Sequence, residues 1–245
     1  MDSRARFVSR LAVIAVAVVV ALFGTLPRAS ATTITLNSGG SVTYLNSGLT
    51  AGDFPSAFTS ANFTAAQTGS HASVLSSVPY YVASLSSGPG AVWIGTNSTS
   101  GTGTGDTALY AISFTLPSNV TSASLSLYFA VDNILGDTNP GIYINGVALP
   151  NSTALACSLC SSSFSQQNLY TDSNIASLLK PGTNWLYLDA VNQGRQAGLI
   201  FSADITYACA VVTPEPSSLL MSGSGLLGLL AFAFRRKRLA TQASL

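Results

Sequence analysis

The sequence predicts an all-β protein, a β-sandwich of jelly-roll type flanked by an N-terminal signal helix and a C-terminal transmembrane helix. Three observations carry this. Short runs of alternating polar and apolar residues recur through the middle of the chain, clusters of Asn, Ser and Gly punctuate them, and long apolar runs with basic flanks are confined to the two ends. With 47% hydrophobic and only 8% charged residues in 245, the chain has ample material for a core and lies far from the composition of a disordered protein.

The N-terminus has three parts: a basic segment with Arg4, Arg6 and Arg10, an apolar run from Leu11 to Phe23, and the small-residue triplet Ala29-Ser30-Ala31 after Pro27. The run is short for a bilayer span and leads into an A-x-A pattern. Residues 1–31 therefore read as a secretory signal, with Ala29 and Ala31 forming the site and cleavage following Ala31.

Residues 32–105 form a Ser/Thr/Gly-rich β region, packed on or part of the sandwich. Its alternations are Thr33-Ile34-Thr35-Leu36 and Ser41-Val42-Thr43-Tyr44-Leu45. No helix is predicted there, and the composition of Asn97 to Gly105 reads as a flexible loop. Residues 106–212 form the sandwich core, with strands expected over Ala108 to Leu116, Ser122 to Val131, Gly141 to Ile144, Trp185 to Val191 and Leu199 to Tyr207. A short helix is expected over Asp172 to Leu179, capped by Asp172 or Ser173 and stopped by Lys180-Pro181-Gly182.

After Val212 the composition changes to Thr213-Pro214-Glu215-Pro216-Ser217-Ser218, then an apolar stretch from Leu219 to Phe234, then Arg235-Arg236-Lys237-Arg238. At roughly 1.5 Å per residue, a helix over 217–234 is near the lower limit of a membrane span. The basic cluster places the globular part on the outer side of the inner membrane. The order Pro214, Glu215, Pro216, Gly-rich helix, Arg235, Arg236, Lys237, Arg238 resembles the PEP-CTERM sorting signal over residues 213–245. That resemblance implies recognition by an exosortase, a membrane cysteine protease-transpeptidase. It further implies cleavage near Pro214-Glu215-Pro216 and release or transfer to the surface or extracellular matrix of a Gram-negative bacterium that makes exopolysaccharide and biofilm. A plain C-terminal anchor is the simpler alternative.

The succession Val131-Asp132-Asn133, Ile142-Tyr143-Ile144-Asn145-Gly146-Val147 and Ile175 to Leu186, with Lys180-Pro181-Gly182-Thr183-Asn184-Trp185, is similar to the galactose-binding-domain-like sandwich. The similarity covers roughly Asp106 to Tyr207. In that fold Asn-Gly makes a tight hairpin turn and Pro-Gly-x-Asn leads into a long strand, and its modules occur in glycosidases and carbohydrate-binding proteins. The fold serves many functions and does not by itself assign a ligand.

Between Thr32 and Val212 there are two basic residues, Lys180 and Arg195, against seven aspartates, a net of −5. Without a basic stripe the domain is not a nucleic-acid binder. In an oxidising compartment Cys157, Cys160 and Cys209 point to a loop disulfide with one thiol left over. A zinc or redox site at Cys157-Ser158-Leu159-Cys160 would need ligands beyond Cys209 and His71. His71 sits in a polar loop without a Gly-x-Ser-x-Gly elbow, so it frames no hydrolytic triad. The spacing of Asp132, Asp137 and Asp189 permits a carboxylate pair, though such residues more often serve turns. No enzyme activity is predicted.

Asp132 and Asp137, within Asp132-Asn133-Ile134-Leu135-Gly136-Asp137-Thr138-Asn139, concentrate the oxygens that calcium takes, and the same residues are also turn formers. No other cofactor is expected. Trp93 and Trp185 are the candidate sugar-stacking platforms. In Trp185 to Val191, Leu186, Leu188 and Ala190 face the core, leaving Trp185 and Tyr187 on the opposite face.

The expected function is an exported, exosortase-processed surface or matrix protein with a non-catalytic interaction domain, its partners being the exosortase, the inner membrane before processing, and extracellular polysaccharide. The alternative is a carbohydrate-binding module with a defined sugar pocket, supported by calcium. Intact-mass analysis of the surface fraction from an exosortase-bearing host is expected to give a species that begins at Thr32 and ends in the Pro214-Glu215-Pro216 region. A mass retaining Leu219 to Leu245 would show a simple anchor instead.

Overall fold

Alternation of side chains in the middle of the chain builds two antiparallel sheets. The structure, a computed structural model, describes residues 30–76, 80–155 and 164–210, together with Gly225 and Gly228, which are helical. Its strands are β1 (Ala31–Asn37), β2 (Thr43–Asn46), β3 (Ser70–His71), β4 (Ser73–Val74), β5 (Ile94–Gly95), β6 (Ala108–Leu116) and β7 (Val120–Asp132). They continue as β8 (Ile134–Leu135), β9 (Ile142–Ile144), β10 (Val147–Ala148), β11 (Asn168–Asp172), β12 (Gly182–Val191) and β13 (Gly198–Cys209). One helix, α1 (Ser60–Thr68), lies between β2 and β3.

Sheet A has the order β11-β7-β13-β5-β4, with β1 also on β13; sheet B has the order β10-β9-β12-β6-β2-β3, with β8 also on β12. The long strands β6, β7, β12 and β13 fall alternately in sheets B and A, so each pairs with one distant in sequence. Thus β13 lies against β7 from Gly198↔Asp132 to Ala208↔Ser122, and β1 lies against β13 from Ala31↔Ala208 to Asn37↔Ser202. Ser30–Ala210 form one compact unit, with segment 32–105 inside it.

The inner faces meet in the main core. Leu125, Leu127, Phe129, Leu199, Phe201 and Ile205 come from sheet A, and Tyr110, Phe114, Ile142, Ile144, Leu186 and Leu188 from sheet B. Each outer face carries a second apolar cluster. On sheet B, Leu109, Ala111, Tyr143 and Tyr187 are covered by Phe54, Phe63 and Ala66. On sheet A, Ala130 and Ile200 are covered by Leu75, Leu85, Ala91 and Trp93. Residues 43–95 therefore wrap both sides of the sandwich.

Helix α1 corrects the expectation that residues 32–105 contain no helix. Its start is a capping box in which Thr59 Oγ1 accepts from Asn62 N–H at 3.4 Å and Asn62 Oδ1 accepts from Thr59 N–H at 2.9 Å. Asn at the third position, in place of the usual Glu or Gln, concealed the signal. Phe63 and Ala66 form its buried face. The helix expected over Asp172 to Leu179 is only a 3₁₀ turn, Ala176–Leu178, because Asp172 ends β11 and its Oδ1 accepts from Asn174 N–H at 2.9 Å. The Asn97 to Gly105 loop is tied down rather than loose. Ser100 is fully buried, its carbonyl accepts from Ala197 N–H at 2.9 Å, and a Cβ at Gly105 would meet Ala197 Cβ at 2.6 Å. The helix expected over 217–234, the Ala29 half of the cleavage site, and Cys157 and Cys160 lie outside the described residues. Among the described residues, no helix is long and apolar enough to cross a membrane.

Thr59→Ala removes one half of the capping box at the start of the helix that covers sheet B. A loss of about 1 kcal/mol is expected, read as a lower urea midpoint with unchanged slope.

Candidate functional site

β12 sends alternate side chains to opposite faces, and the outer set differs in exposure along its length. Trp185 is half-buried, Tyr187 is buried and Asp189 is fully buried. The strand passes under α1 and the 47–59 loop, which close over Tyr187 and Asp189 and leave the edge at Trp185 open. There a cavity of about 300 Å³ lies between the two layers.

Aromatic rings form much of the cavity wall. Trp185 and Tyr187 stack at 6.4 Å with planes 25° apart, Phe63 approaches Tyr187 at 4.8 Å, and Phe58 closes the loop side. The polar lining comes from Ser60, Thr64 and Gln67 on α1, Asn145 on the β9–β10 turn, and Lys180 ahead of β12. Gln67 Nε2 donates to the Tyr187 hydroxyl. Burial raises the Tyr187 pKa above the ordinary value, with the Gln67 hydrogen bond partly opposing it, so the phenol stays neutral.

The turn residues are held in place by their amides. Asn145 and Gly146 both have positive φ, 50° and 83°, as a two-residue hairpin turn of this kind demands. A Cβ at Gly146 would stand 3.1 Å from Phe63. Asn145 Nδ2 donates to Leu178 O at 2.8 Å and to Asn184 Oδ1 at 2.7 Å, while Asn145 Oδ1 accepts from Trp185 N–H at 3.0 Å. Asn184, fully buried, accepts from Lys180 N–H at 2.9 Å and donates to Lys180 O at 2.8 Å. Two asparagines therefore fix the backbone that presents Lys180 and Trp185 to the cavity. Exposed Lys180 supplies a cation at the rim.

The residues singled out from sequence fall in three places. Trp185 lines the cavity. Trp93 does not: it is 4% exposed, its indole N–H donates to Val82 O at 2.8 Å, and Tyr81 packs on it at 4.3 Å, so it has no face open to a sugar. Asp132 and Asp137 have different neighbours. Asp132 is buried at the end of β7, accepting from the Tyr81 hydroxyl and from Asn133 Nδ2 at 2.6 Å, whereas Asp137 acts on Asp189 beside sheet B. Between them the chain crosses from β7 in sheet A to β8 in sheet B. Cys209 is half-buried with a free thiol, and Cys157 and Cys160 lie outside the described residues. Sequence reasoning missed the cavity residues of α1 because the helix itself was missed, and it gave no role to Asp53.

Comparison with known proteins adds the following. The chain matches the PEP-CTERM protein-sorting motif over residues 212–237. It is similar to the native structure of a family 35 carbohydrate binding module from Clostridium thermocellum at 12% identity and a TM-score of 0.36, covering 70% of this chain and 97% of that one. CBM35 from Paenibacillus barcinonensis follows at 11% identity and 0.34, with 68% and 95% covered. An exo-β-1,3-galactanase from Phanerochaete chrysosporium, solved with galactose, matches at 15% identity and 0.33, over 72% of this chain and 29% of its own. No curated protein matches.

Burial raises the Asp132 carboxyl above its ordinary 3.8, the Tyr81 hydrogen bond partly opposing it. Between 3.8 and that raised native value the folded state holds more protons than the unfolded state, so this group's contribution to stability falls as pH rises. Asp132→Asn is expected to flatten the slope of melting temperature against pH above pH 4. An unchanged slope would show that Asp132 is solvated and not held under Tyr81. Taken with the fold, the terminal match identifies the chain as one that carries a PEP-CTERM protein-sorting motif at residues 212–237.

Proposed function

We propose that the chain is an exported, exosortase-processed protein of the cell surface or biofilm matrix of a Gram-negative bacterium, with a non-catalytic β-sandwich that meets extracellular polysaccharide. The sorting motif at 212–237 supports the export and processing. The single observation that carries the binding reading is the Trp185 cavity, where an indole face open on one side stands among hydroxyl, amide and ammonium groups. Sugars present apolar C–H faces and a rim of hydroxyls, and such a mixed wall suits both. A net charge of −5 on the domain also argues for neutral contacts over a broad ionic surface.

The same cavity favours the narrower reading of a carbohydrate-binding module with a defined pocket. Its volume of about 300 Å³ is at the small end of ligand sites, which fits one or two sugar rings rather than a long groove. Hydrolysis is not part of the proposal, because the buried carboxyls Asp132 and Asp189 belong to different sheets and no pair of them flanks the cavity.

Affinity electrophoresis against a panel of polysaccharides is the direct test. Trp185→Ala is expected to weaken binding at least about tenfold, on the scale of an aromatic stacking contact, with the circular dichroism spectrum unchanged. Equal retardation of the variant would remove the cavity from the binding reading. Retention at the surface in a strain without exosortase would remove the processing reading.

A further inference from the structure

We infer that Asp189 and Asp53 hold a calcium ion that ties β12 to the 48–54 loop. The observation behind it is Asp189 itself. Its side chain is fully buried on the outer side of sheet B, and neither carboxylate oxygen has a hydrogen-bond partner. A buried carboxylate with no donor is among the most unfavourable arrangements in a protein interior, and it persists where something else supplies positive charge.

What surrounds Asp189 is negative. The Asp53 carboxyl lies close enough to share a proton with it, Asp137 adds a third charge from the 136–141 loop, and Tyr143 on β9 feels both Asp189 and Asp53. Asp53 is oriented by two backbone donors, Phe54 N–H at 2.6 Å to Oδ1 and Asn139 N–H at 2.7 Å to Oδ2. Buried Asn139 in turn donates from Nδ2 to Phe54 O at 3.2 Å. The loop is therefore locked with its carboxyl facing the orphaned one. A single shared proton would satisfy one Asp189 oxygen and leave the other bare, whereas a cation draws on both.

The chemistry of the donors selects the ion. Only oxygens are offered, which disfavours zinc and copper. Among the described residues no group of three or more His, Cys, Asp or Glu side chains is gathered for a metal, so two carboxylates must be supplemented by carbonyl and water oxygens. Calcium accepts such a mixed shell of about 6–8 oxygens in irregular geometry, and magnesium does not. The ion would pin the loop bearing Phe54 and Phe58, and Phe58 lines the Trp185 cavity. Asp132, on sheet A, is not part of this site, and the site does not depend on what the cavity binds.

The test is thermal unfolding of the full chain after EDTA treatment, titrated with CaCl₂ or MgCl₂ at pH 7. A hundredfold excess of calcium over its dissociation constant is expected to raise the melting temperature by about 5–10 °C, with magnesium giving far less. Asp189→Asn and, should that variant not fold, Asp53→Asn are expected to abolish the calcium response, while Asp132→Asn retains it. Terbium luminescence sensitised by Tyr143 should follow the same pattern. An absent calcium response in the wild type, or an equal response in Asp189→Asn or Asp53→Asn, would overturn the inference. A melting temperature that rises on acidification but ignores calcium would overturn it in favour of a shared proton.

Discussion

Sheet B is apolar on both faces, and most of the structure follows from having to cover it twice. Its inner face meets sheet A through Leu186, Leu188, Ile142 and Ile144, as in any two-layer sandwich. Its outer face presents Leu109, Ala111, Tyr143 and Tyr187, which would form an exposed apolar patch if left bare. The chain meets this demand before it begins the long strands. Phe54, Phe58, Phe63 and Ala66 come from the loop and helix that follow β2, so a Ser/Thr-rich segment with little apolar content of its own spends it on this one face.

The cover has an open end, and the candidate site lies there. Between α1, the Asn145-Gly146 turn and Lys180, the cover leaves a cavity where the indole of Trp185 is half-exposed. At the opposite end the cover is complete and traps Asp189. One strand thus presents a solvent-facing indole, a neutral buried phenol and a fully buried carboxyl at successive outward positions. Burial along that line changes the chemistry of each group more than its identity does, since desolvation is the leading influence on both Tyr187 and Asp189.

Much of this was legible in the sequence wherever the signal was local and periodic. The alternation in Ala108 to Leu116 gives β6 over the same residues, and Leu186, Leu188 and Ala190 are core residues as their period of two requires. Asn145-Gly146 announced its hairpin through the left-handed backbone that both residues adopt. The rest depended on contacts distant in sequence. Trp93 and Trp185 look alike as isolated aromatics, and only the 75–93 segment folding onto sheet A buries the first. Asp53 is 136 positions from Asp189, beyond the reach of any spacing rule. α1 escaped notice because its capping Asn and its short Phe63 and Ala66 face carry little helical periodicity, so tertiary contact with sheet B decides its conformation.

The division of labour along the chain is also a division of charge. Basic residues are concentrated at the two ends, and the 32–212 region keeps only Lys180 and Arg195. Lys180 is held at the rim of the cavity by the buried amide of Asn184, which binds its backbone on both sides. A cation so scarce and so placed gives the cavity a positive side within an otherwise acidic domain. A neutral sugar would meet it through hydroxyls, and an acidic one through charge as well, with the ionic part screened over about 8 Å at physiological salt. The aromatic wall therefore supplies the salt-independent share of any binding, and Lys180 the share that salt can remove.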